Sequence, residues 1–360
     1  MKKKVLSVLL CVAMVGTLAV GCGSKDEGSD SKADAKTEDT QKDDAGDSGK
    51  KTYAIVTKAA GNPYNEKEAE GFQEVIEAEG GECIVKHPEA ATADAQVSVI
   101  QSLISQGVDS IAIAANDENA LQAALEEAMD AGIKVSCLDS KANADSRQTF
   151  VNQAGVTEIG QALMDAVLDI TGGEGQWAIL SATSQAANQN AWIDSMKEIM
   201  KDDKYSKLEL VEVAYGDDEP QKSTDQTQAL LSKYPDLKVI CAPTTVGINA
   251  AAKVLQDEKS SVKLTGLGLP SEMAEYIGDD DAHSCPYMYL WNPIDVGRLG
   301  AYTSIALVDG TITGAAGDQF TAGDMGDYEV VEADDGGTEV ILGAPFKFDP
   351  DNIGEWKDVY

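Results

Sequence analysis

From Tyr53 onward the chain alternates short apolar runs with amphipathic segments, and this alternation restricts the fold more than any other feature. "YAIVTK" precedes residues 63–80, which read as a helix. "GECIVKH" precedes 93–107, where Val97, Ile100, Ile104 and Gly107 share one face. "DSIAIAA" precedes helix 117–131, and "IKVSCLDS" follows it. A sheet with one wet face would alternate apolar and polar residues along each strand. These runs are apolar throughout, as strands are when helices cover both faces of a parallel sheet. The expected class is therefore α/β, doubly wound, with right-handed crossovers.

The second half repeats the scheme. "QWAILSA" leads to helix 190–202, "LELVEVAYG" to 220–233, "KVICAPT" to 246–257 and "VKLTGLGL" to a short helix at 271–278. "PYMYLW" precedes a long helix from about 293 to 309, and "YEVVEADDGGTEVILG" reads as a hairpin about an Asp-Gly-Gly turn. A chain of 360 residues accommodates two such units. We expect one lobe at 52–155 plus about 286–320, and a second at 156–285 plus about 321–360. Three strands cross between them near residues 155, 285 and 320.

The N-terminus has a different character. "MKKK" is a basic start, "VLSVLLCVAMVGTLAV" an apolar stretch, and "GCGSKDEGSD" ends it abruptly. This is the layout of a secretory signal over residues 1–21. The apolar run falls short of the ~20 residues of a membrane span. "LAVGC" resembles a bacterial lipoprotein signal, which makes Cys22 the lipid-modified first residue of the mature chain, although Leu18 lies one position earlier than is usual. Residues 22–51 hold no aliphatic side chain larger than Ala. They cannot bury enough apolar surface to offset the entropy of ordering, so a disordered acidic tether is expected. The chain is then extracytoplasmic, and an acidic tether of this kind resembles those of Gram-positive lipoproteins.

Asp and Glu outnumber Lys and Arg by 62 to 28, which argues against a nucleic-acid partner. Beyond Cys11 and Cys22, the cysteines at 83, 137, 241 and 285 are singly spaced, which is not a zinc pattern; a disulfide among them stays open. The two histidines, His87 and His283, lie in no nucleophile motif, no HExxH exists, and "GLGLP" is an incomplete dinucleotide fingerprint. We expect no enzyme, no metal and no cofactor.

Ligands of doubly wound sheets bind beyond the carboxyl ends of the strands. Lys58, Asn116, Asp139, the stretch 181–190, Pro243, Thr244, Thr245, Trp291 and Asn292 stand there. The stretch "SATSQAANQNAWI" carries no charge in a chain of formal net charge −34. Amides and carboxylates take bidentate hydroxyl hydrogen bonds, and rings cover C–H faces, so the set suits a neutral sugar. The bland alternatives are a solvated Lys58, a turn at Asp139, and Asn188 or Gln189 as helix caps.

On these residues the chain resembles the type I solute-binding proteins of ABC transporters. "GNPYNEKEAEGFQEV" resembles the segment opening the first helix in sugar binders of that type. "VTKAAGNPY", "LDSKANADSR", "FVNQAG", "NQNAW", "APTTVGINAAAK" and "LWNPIDVG" resemble the autoinducer-2-binding and rhamnose-binding branch. The resemblance implies that Lys58 and Asp139 bond ligand hydroxyls and that Tyr64 and Trp291 wall the pocket. It implies that Asn188 and Gln189 reach the ligand from the second lobe, and that Pro243 and Thr245 close over it. Asn188 stands where that branch carries Asp, and Thr245 where its autoinducer binders carry Ala. The implied role is a monomeric, lipid-anchored receptor that delivers a small sugar-like ligand to a membrane permease. The alternative is a receptor presenting the same ligand to a membrane sensor or chemoreceptor.

Overall fold

The structure, a computed structural model, describes residues 49–360. The signal expected at 1–21, the lipidation expected at Cys22 and all but the end of the expected tether lie outside the described residues. No described helix is long and apolar enough to cross a membrane.

The first half runs β1 (Thr52–Val56), α1 (Pro63–Ala78), β2 (Glu82–Lys86), α2 (Ala93–Gln106), β3 (Ser110–Ile113), α3 (Gln122–Asp130), β4 (Lys134–Leu138) and β5 (Thr149–Asn152). The second runs α4 (Val156–Thr171), β6 (Gly175–Ser181), α5 (Ala187–Ile199), β7 (Leu208–Tyr215), α6 (Pro220–Lys233), β8 (Leu237–Ala242), α7 (Thr245–Asp257), β9 (Lys263–Gly266) and α8 (Pro270–Met273). Then come β10 (Met288–Leu290), α9 (Pro293–Asp309), β11 (Gln319–Thr321), β12 (Asp327–Glu329), β13 (Val331–Glu332), β14 (Thr338–Ile341), β15 (Phe346–Phe348) and α10 (Ile353–Trp356).

Lobe 1 is a seven-stranded sheet in the order β13-β14-β5-β4-β3-β1-β2, and lobe 2 a four-stranded sheet in the order β7-β6-β8-β9. Every pairing in the two sheets is parallel except β13 with β14. The apolar runs have the expected cause. In β1, Tyr53 and Ile55 are buried on one face, in the core shared with Phe72 of α1 and Leu299 of α9; Ala54 and Val56 are buried on the other, with Ile100 of α2 and Leu125 of α3. Helix ends obey local chemistry. Asn62 caps α1 by accepting from Tyr64 N, ahead of Pro63 at the first helical position. Gly107 and Gly310 end α2 and α9 in the left-handed region. The helix expected from 117 starts only at Gln122, because Asp117 Oδ1 takes the N–H groups of Asn119 and Ala120 in a turn.

Helices α1 and α9 cross at backbone contact. A Cβ on Gly71 would lie 2.0 Å from Ile294 O, and one on Gly297 would lie 1.9 Å from Glu68 O.

Two lobe boundaries differ from expectation. Residues 286–290 were expected in lobe 1, but Thr265 Oγ1 donates to Tyr287 O and Gly268 N to Tyr289 O, which ties them to β9 in lobe 2. The hairpin at 331–341 was expected in lobe 2. Instead β14 pairs with the open edge of β5, burying Val340, and so belongs to lobe 1. The chain thus crosses at 153–155, at 291–292 and at 342–345. After the last crossing β15 pairs with β10 in lobe 2. Cys83, Cys137, Cys241 and Cys285 are free thiols.

Candidate functional site

The carboxyl ends of β1, β4, β6 and β8 converge where the lobes face each other. Lys58, just past β1, is buried, and its backbone carbonyl accepts from Asn116 Nδ2 at 2.9 Å. Its ammonium reaches across the cleft to donate to Asn188 Oδ1 at 2.7 Å, with Gln189 Oε1 at 3.5 Å and Asp139 Oδ2 at 3.6 Å. Asp139 follows β4 with φ 58°, a left-handed conformation that bulky residues avoid. Asn188 Nδ2 donates at 3.3 Å both to the Asp139 carbonyl and to its Oδ2. One amide therefore bridges a cation and an anion of the opposite lobe.

An aromatic wall stands beside this pair. Trp291, in the second crossing, donates from Nε1 to the Tyr64 hydroxyl at 2.7 Å. It meets Tyr64 edge-to-face at 6.5 Å and Trp192 of α5 at 5.7 Å. Lys58, Tyr64, Asp139, Asn188, Gln189, Pro243, Thr245 and Trp291 line one central cavity of about 40 Å³. Larger clefts of about 590 and 450 Å³ flank it. Ligand pockets usually hold ~300–1,000 Å³, so a monosaccharide enters the centre only if the lobes part and the Lys58–Asn188 bond breaks. Asn292 stands apart from the cavity. It caps α9, accepting from Ile294 N at 3.0 Å and donating to Asp295 Oδ2 at 2.9 Å.

Four residues outside the expected set bear on the chemistry of the site. Trp192, Asn65 and Asp218 line the same cavity. Asp218, in the turn after β7, accepts from Thr244 Oγ1 at 2.5 Å, and burial raises its carboxyl. In sequence "GDDEP" looks like an exposed turn. The fourth is Glu68. It is fully buried on α1, and neither carboxyl oxygen has a partner among the described residues. The face spacing Tyr64, Glu68, Phe72, Val75 signals its inward position, whereas Glu66 and Glu70 on either side are exposed acids of the same helix.

The electrostatics follow from counting charges. Burial raises the Glu68 carboxyl well above the usual carboxylate range, the nearby Asp139 adds to this, and Lys58 only partly opposes it. Burial also raises Asp139, but Lys58, Tyr64 and Asn188 act on it in the opposite direction. One lysine cannot neutralise the buried Glu68 and Asp139 together with the half-buried Asp218. Glu68, which receives no hydrogen bond, is the group that keeps its proton. The site thus offers an ion pair, neutral amides and aromatic faces, with no uncompensated cation to attract an anion.

A family model described as a periplasmic binding protein domain matches residues 53–312. A solved ABC transporter solute-binding protein from Clostridium phytofermentas, with bound L-rhamnose, is 64% identical; the match covers 87% of this chain and 99% of that one, with TM-score 0.86. A sugar ABC transporter structure from Actinomyces odontolyticus is 39% identical over 85% of this chain and 97% of its own, with TM-score 0.67. LsrB from Clostridium saccharobutylicum, in complex with AI-2, shares the fold at 23% identity over 85% of this chain and 99% of its own, with TM-score 0.78. The D-ribose/D-allose-binding protein of Pseudomonas aeruginosa is 27% identical over 158 residues, 41% of this chain, and the match spans about half of that relative (47%). The rhamnose-bound structure and the Actinomyces structure are ABC transporter proteins and the Pseudomonas relative is a sugar-binding protein; none of these is an enzyme. The α/β lobes are those of type I binding proteins, and this chain belongs to the periplasmic binding protein domain family.

Proposed function

We propose that this chain captures a small neutral sugar between its lobes and delivers it to an ABC permease, as a monomer held at the membrane by a lipid on Cys22. L-rhamnose is the first candidate; other deoxyhexoses, pentoses and autoinducer-2 follow. The observation that carries this reading is the convergence of Lys58, Asp139, Asn188, Gln189 and the rings of Tyr64, Trp192 and Trp291, drawn from both lobes, on one cavity. Amides and a paired carboxylate suit hydroxyls, and the rings suit the C–H face of a pyranose. The solved relative with bound L-rhamnose supports the choice of sugar. Capture proceeds by opening at the three crossings, exchange of the Lys58–Asn188 bond for bonds to the ligand, and closure.

A thermal-shift screen with rhamnose, pentoses, hexoses and autoinducer-2, followed by calorimetric titration, tests this. Rhamnose should stabilise the protein and bind at micromolar Kd or tighter. Asp139→Ala and Gln189→Ala should each weaken binding by ~1–3 kcal/mol through loss of a buried hydrogen bond. Unchanged affinity in both variants, or stabilisation by no sugar-like compound, refutes the reading.

A further inference from the structure

The cleft of about 450 Å³ beside the centre shares Asp139, Asn188 and Trp192 with it, so these side chains face both spaces. The partition between the two is the Asn188–Asp139 contact, whose two 3.3 Å bonds are long for hydrogen bonds. The far wall is apolar: Phe150, Val156 and Ile341. Ile341 is 38% exposed, one of only four large apolar side chains so exposed among the described residues. The rim is polar. Asn152 Nδ2 donates to Glu339 Oε2 at 2.9 Å. Gln153, in the first crossing, also lines the space; it is buried, and its Oε1 has no partner among the described residues. Apolar wall, amides, a carboxylate and a spare acceptor repeat the chemistry of the central site at about ten times its volume.

We infer that this cleft is a second subsite, which holds a neutral sugar ring joined to the sugar in the central cavity, so that the ligand class extends to disaccharides. The inference rests on the sugar-binding reading above. The second ring lays its C–H face on Ile341 and Val156 and turns hydroxyls to Asn152, Glu339 and Gln153. The linkage passes where Asn188 now meets Asp139, and the amide swings aside. Charge restricts the added group. Glu158, Asp334 and Glu339 surround the cleft, and Lys141, the one cation lining it among the described residues, is already held by Asp334 at 2.8 Å and Asp335 at 3.4 Å. An anionic extension, a phosphate or a uronate, meets acids on every side and is rejected.

Calorimetric titration of the purified protein with L-rhamnose and with an L-rhamnosyl-glucose disaccharide tests this. Wild type should bind the disaccharide with a Kd no more than tenfold weaker than that for rhamnose. Ala191→Phe, on α5, fills the cleft without touching the central cavity. It should leave the rhamnose Kd within twofold and weaken the disaccharide at least tenfold. Ile341→Ala, at an exposed position, should lower only disaccharide affinity, by a few-fold. Retained rhamnose binding reports that each variant is folded. Rhamnose binding without disaccharide binding in wild type, or equal losses for both ligands in both variants, overturns the subsite. Binding of neither sugar by wild type overturns the choice of rhamnose and the subsite built on it, while the sugar-binding reading is decided separately by the wider thermal-shift screen.

Discussion

Replacing Glu68 by Gln should make the protein more stable, and increasingly so as pH rises. Glu68 is fully buried, its oxygens accept no hydrogen bond among the described residues, and burial holds its carboxyl well above the ordinary 4.5. Above pH 4.5 the unfolded chain releases this proton while the folded chain keeps it. The folded state then binds one proton more than the unfolded state, so stability falls as pH rises, until the folded group itself ionises. One proton of difference costs about 1.4 kcal/mol per pH unit. Gln has the shape of the protonated acid and releases nothing. Between pH 5 and pH 7 the variant should therefore gain up to about 3 kcal/mol on the wild type. For a folded part of about 300 residues the unfolding entropy is roughly 0.6 kcal/mol/K, so the difference in Tm should widen by about 4–5 °C. Differential scanning calorimetry of both proteins at pH 5, 6 and 7, without ligand, reads this directly. Parallel Tm curves would show that Glu68 titrates alike in the folded and unfolded chain. A variant that loses ground as pH rises would show that Glu68 is ionised and paired. Either result refutes the assignment of the proton.

Three further outcomes are expected. Gly297→Ala places a methyl 1.9 Å from Glu68 O, a backbone atom of a packed helix, so α1 and α9 must separate; a loss of roughly 2–3 kcal/mol should appear as a lower urea midpoint. Asn188→Asp removes the donor to Asp139 and sets a third carboxylate beside Lys58 and Asp139. It should lower Tm at pH 7 by more than at pH 5, and a pH-independent effect would refute the bridging role. Cys137 and Cys83, pushed by burial up to about 11 and about 12, and Cys241 and Cys285, pushed higher still, should resist a thiol reagent at pH 8 until the chain is unfolded, as mass spectrometry of the labelled peptides would show.

The parallel sheets were legible because both faces of a strand such as β1 are buried, which writes an unbroken apolar run into the sequence. The lobe to which a late strand returns was not. "TEVI" would satisfy any open edge, and only Val340 of β14 is buried, so nothing local distinguishes β5 from a partner in lobe 2. That the residues at the strand ends would line one cavity was legible because topology brings those ends together. Glu68 was not, since a protonated acid on a buried face is written with the same letter as a solvated one. Asn292 was misplaced for a related reason: an amide after a strand serves a helix cap as well as a ligand, and Pro293 beside it decides for the cap.

The neutrality of "SATSQAANQNAWI" takes its meaning from Asn188. A carboxylate at that position can only accept, so it would satisfy Lys58 and repel Asp139. An amide accepts from Lys58 with Oδ1 and donates to Asp139 with Nδ2, and it adds no charge to a cavity that Asp218 already lines and whose Asp139 and Lys58 already feel Glu68. The amide therefore fits a site where one lysine stands among three acids, Glu68, Asp139 and Asp218. It also allows the two lobes to meet through a neutral group that can exchange both of its bonds for the hydroxyls of a sugar.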